Sequence, residues 1–207
     1  SVERTKDYIK SKEESIIKAA AIRKSAGVAG VDFHALHCGY LLDCFAMAIT
    51  NKREDEYGGA LENRLRIVKE TIDGIHQECG ADDPVTMRLG RKSDIKALNK
   101  ASLDGADEAG RTLEEGIRIA KLLEEMGFAA LSVDVGIYDS FYHACPPSYM
   151  PKGHALKLYA ECKKAVSIPV LGGSRMGDPY LCADALAKGT CDGFVHSRPA
   201  LDTPFFA

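Results

Sequence analysis

Residues 61–89 read LENRLRIVKETIDGIHQECGADDPVTMRL. Leu61, Leu65, Val68, Ile72 and Ile75 recur at helical spacing, so an apolar stripe runs along an amphipathic helix over Leu61–Cys79. A short polar turn, Gly80–Asp83, leads into Pro84–Leu89, an apolar run of strand type. Helix, tight turn and strand make one unit of a parallel sheet, whose strands must be joined by crossovers.

The same unit recurs on both sides. Glu13–Ala26 reads as a helix with Ile16, Ile17, Ala20 and Ala21 on one face, ended by Gly27 and followed by a strand over Val28–Ala35. Thr112–Met126 is a helix whose Thr112 and Glu115 predict a capping box, and Ala129–Val135 is the next strand. His154–Val166 and Asp178–Lys188 are helices, each followed by a strand, Ile168–Leu171 and Cys191–Val195. The strands lack clean alternation, which suits a sheet covered on both faces. The loops after strands are long (36–60, 90–111 and 136–153), whereas those before strands are short. In a (β/α)₈ barrel the active site lies at the C-terminal ends of the strands, and this asymmetry points there. Periodicity alone leaves a doubly wound open sheet as the alternative. Five strands are read, so a closed barrel needs three more, expected before Ser1.

Composition narrows the function. Apolar residues make 45% of the 207-residue chain and charged residues 28%, which is ordinary for a globular domain. Formal net charge is -3, which argues against nucleic acid or an anionic membrane surface as partner. No apolar run approaches the roughly 20 residues that span a bilayer. The N-terminus lacks the apolar stretch of a signal peptide. The seven cysteines are scattered, with no C-x-x-C, and read as reduced thiols of a cytoplasmic protein, not as a disulfide framework or metal site. A homo-oligomer is compatible with all of this.

The chemistry-bearing residues cluster at strand ends. His34 and His37 stand where Val28–Ala35 ends; three apart on a strand they point to opposite faces, and they converge only if the chain turns, for which Gly39 is suited. Two neutral imidazoles there can donate hydrogen bonds to one carbonyl oxygen and stabilise an enolate. Tyr40 adds a phenol able to act as general acid. By residue type alone, two ordinary histidines and a core tyrosine remain the plainer reading. Arg88 caps an apolar strand at the same end, where it is either an ion-paired arginine or part of the site. Gly173, Ser174 and Arg175 follow one strand and Ser197 and Arg198 the next, positions where barrels bind phosphate.

The wider context is more specific. His34-Ala-Leu-His37-Cys-Gly-Tyr40-Leu-Leu-Asp43 runs into Asn51-Lys-Arg53-Glu-Asp55-Glu-Tyr57-Gly58-Gly59 and on through Asn63-Arg64. This resembles the signature of the old yellow enzyme family, in the branch of 2-enoate reductases, 2,4-dienoyl-CoA reductases and bile-acid enoyl-CoA oxidoreductases. Lys92–Lys96, Gly110–Gly116, Asp134–Asp139, Ile168–Pro179 and Cys191–Pro199 extend the likeness over nearly the whole chain.

The resemblance implies a single partial FMN-binding barrel over residues 1–207, from the helix before strand four through strand eight. It implies an ene-reductase acting on an activated C=C bond of a 2-enoate, an enoyl-CoA thioester or a steroid enone. Tyr40, His34 and His37 would be catalytic. Arg88, Gly173, Ser174, Arg175, Ser197 and Arg198 would hold FMN. A 4Fe–4S centre, FAD and NAD(P)H belong to segments expected beyond Ala207. The contrasting expectation is a non-catalytic fragment that needs a partner or a longer chain. Ser174 and Ser197 stand where relatives carry glycine, and Ala60 stands where a serine would cap a helix. Asn51–Arg66 reads as structural, its ion pairs pinning a long loop.

Overall fold

The computed structural model describes residues 4–104 and 108–203; the ends of the expected 1–207 domain, residues 1–3 and 204–207, lie outside them, as do 105–107. Helix α1, Lys6–Ser25, packs on α4, Arg66–Cys79, and strand β1, Val31–Leu36, follows α1. Two short helices, α2 (Leu41–Ala46) and α3 (Leu61–Arg64), lie between β1 and α4. Then come β2 (Val85–Gly90), a hairpin of β3 (Ile95–Ala97) and β4 (Lys100–Ala101), α5 (Leu113–Glu125) and β5 (Ala130–Asp134). A single 3₁₀ turn at Tyr138–Ser140 leads into α6, Phe141–Ala144. The chain ends through α7 (Leu156–Lys163), β6 (Val170–Gly172), α8 (Pro179–Ala187), β7 (Gly193–Phe194) and α9 (Arg198–Asp202).

The main sheet is parallel throughout, in the order β1-β2-β5-β6-β7. Leaving out the hairpin, this is chain order with no reversal. A doubly wound sheet reverses at a switch point, whereas a (β/α)₈ barrel adds each strand beside the last. The five strands therefore read as an arc of a barrel, and the resemblance places them as strands four to eight.

The two faces of the arc differ. Val85, Met87, Leu89, Leu131 and Val133 are fully buried beneath the helices. His34, Arg88, Ser132 and Leu171 are register partners across four strands and share the opposite face. That face is the barrel interior, and it is largely polar.

Several boundaries differ from the sequence expectation. Helix α1 begins at Lys6, not Glu13, because Thr5 caps it, its hydroxyl accepting from Tyr8 N–H, and because Ile9 is fully buried amid charged neighbours. The expected helix over 61–79 breaks at Leu65 into α3 and α4. The Thr112 hydroxyl accepts from Glu115 N–H at 3.1 Å, but the Glu115 carboxylate is engaged by Arg64, so the predicted capping box is half formed. Ala60 caps α3 without a side-chain hydrogen bond.

Candidate active site

The loop 51–66 is a frame, as expected. The Asn51 amide donates to the carbonyls of Phe45 and Tyr57, both at 2.7 Å. Arg53 pairs with Asp55, Arg64 with Glu115, and Arg66 donates to the Glu56 carbonyl at 2.8 Å. Gly58 is needed here because a Cβ would lie 2.0 Å from the Arg53 carbonyl oxygen. A second support was not foreseen. Arg111, with no exposed surface, pairs with the equally buried Asp43 and donates to the carbonyls of Leu36 and Gly90. The other Asp43 oxygen accepts from Gly39 N–H at 2.8 Å. One buried ion pair thus ties the ends of β1 and β2 to the turn that carries the histidines.

That turn is left-handed at two successive residues, Cys38 (φ 59°) and Gly39 (φ 73°). Glycine adopts this freely, whereas cysteine does so at a cost of about 1–2 kcal/mol. The result is the convergence the sequence required. His37 Nδ1 lies 3.2 Å from His34 Nε2, and the rings stand 5.2 Å apart. His37 is buried and His34 is exposed toward the barrel interior. Burial lowers both imidazoles below their ordinary value, helped in each by the nearby Arg88 guanidinium, while Asp134 pulls the other way. Both are therefore neutral near pH 7. The Tyr40 ring lies edge-on to His34 at 5.2 Å, and its hydroxyl is 3.0 Å from that of Tyr138. This hydrogen bond raises the Tyr40 phenol further.

Arg88, the register partner of His34, pairs with the buried Asp134 at the end of β5. Asp134 also lies 3.9 Å from His37 Nε2. Beyond this pair opens a cavity of about 760 Å³, a size that takes small ligands and cofactors. Arg88, Gly173, Ser174, Arg175, Ser197 and Arg198 all line it. Ser174 and Arg175 are left-handed, at φ 27° and 57°, and Ser197 and Arg198 are exposed. The Arg175 guanidinium is engaged by the carbonyls of Met150 and Ser148, which closes the loop over the rim. The sequence reading missed Lys152, which lines the same cavity and pairs with Asp178 at 3.0 Å. His143 Nε2–H donates to the Ser102 carbonyl at 2.8 Å, which ties α6 to the hairpin.

A barrel arc carries paired histidines, a phenol and an arginine at its strand ends, beside a cavity lined by the loops after β6 and β7, a layout that suits a flavin-type oxidoreductase. A profile of the NADH:flavin oxidoreductase / NADH oxidase family matches residues 2–207, and the chain belongs to that family. It is 45% identical over 203 residues to a cinnamate reductase of Clostridium sporogenes, covering 97% of this chain and 30% of that protein. It is 35% identical to an NADH oxidase of Thermoanaerobacter brockii, covering 92% and 27%. Among solved structures, a 2-naphthoyl-CoA reductase complexed with 2-naphthoyl-CoA superimposes with TM-score 0.86 at 33% identity, covering 99% of this chain and 29% of that one. The old yellow enzyme homologue of Zymomonas mobilis gives 0.72 at 27% identity, covering 100% and 54%. The chain thus spans less than a third of the length of the two curated relatives.

The family cofactor is FMN, and the residues present fit it. The Ser174 hydroxyl and Arg88 Nε are buried without a hydrogen-bond partner, which is unusual for polar atoms in a finished interior. At Gly173 a Cβ would stand 3.6 Å from Asp134 and 3.9 Å from Arg88, so the bare glycine leaves the cavity floor open. Among the described residues no helix is long and apolar enough to cross a membrane.

Proposed function

We propose that the chain is a single FMN-binding barrel portion, residues 1–207, of a cytoplasmic ene-reductase acting on an α,β-unsaturated carbonyl compound. The observation that carries this is the approach of His34 Nε2 to His37 Nδ1, 3.2 Å, on the strand neighbouring Arg88. Two neutral imidazoles side by side suit one carbonyl oxygen. The cinnamate reductase and 2-naphthoyl-CoA reductase likenesses support a 2-enoate or an enoyl thioester as the substrate class.

FMN, when bound, supplies a hydride to the β-carbon of the substrate. His34 and His37 donate hydrogen bonds to the substrate oxygen, where negative charge grows as the double bond is reduced. Their value is greatest in that charge-separated state, as for any oxyanion site. Tyr40 delivers a proton from its hydroxyl to the α-carbon, and its hydrogen bond to the Tyr138 hydroxyl keeps the phenol protonated until that transfer. Arg88, oriented by Asp134, would supply a positive charge to the bound flavin and so favour its anionic reduced form. Gly173, Ser174, Arg175, Ser197 and Arg198, which line the cavity, would hold the phosphate through backbone N–H groups, the serine hydroxyls and the arginine charges.

The test mixes the chain with FMN, desalts it and reads the retained flavin absorbance. Retention is expected, and Arg88→Ala should lower it. With a chemical reductant and cinnamate, Tyr40→Phe should keep flavin and lose about a hundredfold in C=C reduction. Equal turnover by Tyr40→Phe would sink the assignment of the proton donor. Absence of flavin in the chain would move the cofactor site to a longer protein.

A further inference from the structure

The left-handed turn does more than bring two histidines together. It folds the Cys38 side chain back onto them, so that Sγ lies 3.0 Å from His37 Nδ1. One nitrogen from each histidine and the sulfur lie within 4.8 Å of one another. From these positions we propose that His34 Nε2, His37 Nδ1 and Cys38 Sγ form a three-ligand site for a zinc-group divalent cation, with the fourth position open to the barrel interior.

The donor set is the one such cations take: imidazole nitrogen and thiolate, three protein ligands and one exchangeable position. Tetrahedral zinc places two nitrogens about 3.3 Å apart and nitrogen and sulfur about 3.6 Å apart. The nitrogen pair is already at 3.2 Å; the sulfur, 3.0 Å from Nδ1 and 3.7 Å from Nε2, lies against the His37 ring and reaches the ligand position by a rotation of its side chain. With Nδ1 of His37 on the metal, its Nε2–H is turned toward the Asp134 carboxylate, 3.9 Å away, an electrostatic neighbour and not a hydrogen-bond partner. Asp134 also answers the nearby Arg88, and Asp43 answers Arg111 behind the turn, so the metal does not meet an uncompensated positive charge from either. His34 is exposed, which gives the ion a way in. Sequence spacing showed no metal site because the convergence depends on the backbone at Cys38.

Binding involves no redox change. The S–H bond of Cys38 breaks, its proton leaves to solvent, and a sulfur–metal bond forms. Burial holds the free thiol up at about 11, so without a metal it stays protonated and unreactive. The ion would cover both nitrogens that the proposed function assigns to the substrate oxygen, and metal and enone would then exclude each other. That last consequence rests on the proposed function; the site itself does not.

The experiment titrates the chain with Cd²⁺ alone and follows the ultraviolet thiolate-to-cadmium charge-transfer band, with no flavin or substrate present. A band saturating at one equivalent is expected. It should vanish in Cys38→Ser and in Cys38→Gly, while Cys145→Ser, at the exposed cysteine, should retain it. His34→Ala should weaken binding by at least about tenfold. Cys38→Gly guards against misfolding, since glycine suits the left-handed backbone at that position. A band that survives both Cys38 variants, no band in the parent chain, or full affinity in His34→Ala overturns the site. Because the band is read without flavin or substrate, its loss leaves the ene-reductase reading standing, and failure of that reading leaves the band intact.

Discussion

Behind the histidine turn, the buried charge pair and the buried amide are answered, with Arg111 Nε as an exception; at the cavity in front of it, buried polar atoms face open space. The Arg111–Asp43 pair and the Asn51 amide are buried and hydrogen-bonded to named partners. Across the strand ends, the Ser174 hydroxyl and Arg88 Nε are buried with none. The first pattern is that of a frame and the second that of a surface shaped for something else to complete. Two kinds of substitution should separate them: those in the frame cost stability, and those at the cavity do not.

The largest effect is expected at Arg111. Arg111→Met keeps much of the side-chain volume but leaves the Asp43 carboxylate buried beside Gly39 N–H alone. Removing one partner of a buried ion pair costs about 3–5 kcal/mol. Thermal unfolding should show that loss, and pairing the change with Asp43→Leu should recover most of it, since no buried charge then remains. A single variant as stable as the parent chain would break the contrast at its strongest point.

Asn51→Ala comes next. It leaves the carbonyls of Phe45 and Tyr57 without their donor, at a cost of about 1–3 kcal/mol. Denaturant unfolding measures it. A loss well under 1 kcal/mol would mean that water replaces the amide and that the loop is less closed than its geometry shows.

These two frames were not equally legible in the sequence. The strands could be read because Val85–Leu89 and Leu131–Val133 are short apolar runs, and α4 because its apolar residues keep one period. The start of α1 was hidden because Ile9 is a single buried residue among charges. The hairpin of β3 and β4 was hidden too, since it is small and polar and turns on Asn99 at φ 61°. In the site, His34, His37, Tyr40 and Arg88 were visible as residue types at strand ends and through the family signature. Their partners were not. Arg88 meets Asp134 across 46 residues of sequence and Arg111 meets Asp43 across 68, and no local pattern encodes such pairings. The Cys38 thiol could not be placed at all without its backbone angle.

At the cavity the sign should reverse. Ser174 sits at φ 27° with an unpartnered hydroxyl, so Ser174→Gly removes a left-handed strain and an unsatisfied group together. A gain of about 1 kcal/mol is expected in thermal unfolding of the flavin-free chain. The same variant sharpens the functional reading. If the hydroxyl holds phosphate, the gain shrinks when FMN is added, because the parent chain then satisfies it. A loss of stability without flavin would place the hydroxyl in the frame and leave the cavity with one less reason to expect a ligand.

The smallest effect tests whether the frame itself is complete. Ala60 precedes α3 at φ −59° and ψ 151°, an extended backbone of the kind that capping residues adopt, yet it has no side chain to cap with. Ala60→Ser supplies a hydroxyl to the orphan N–H groups of Asn63 or Glu62 and should add roughly 0.5–1 kcal/mol. Cap and cavity are separate, so flavin retention should be unchanged and the gain should add to that of Ser174→Gly. If the two gains fail to add, α3 and the phosphate turn are coupled through the arc, and frame and cavity are one mechanical unit.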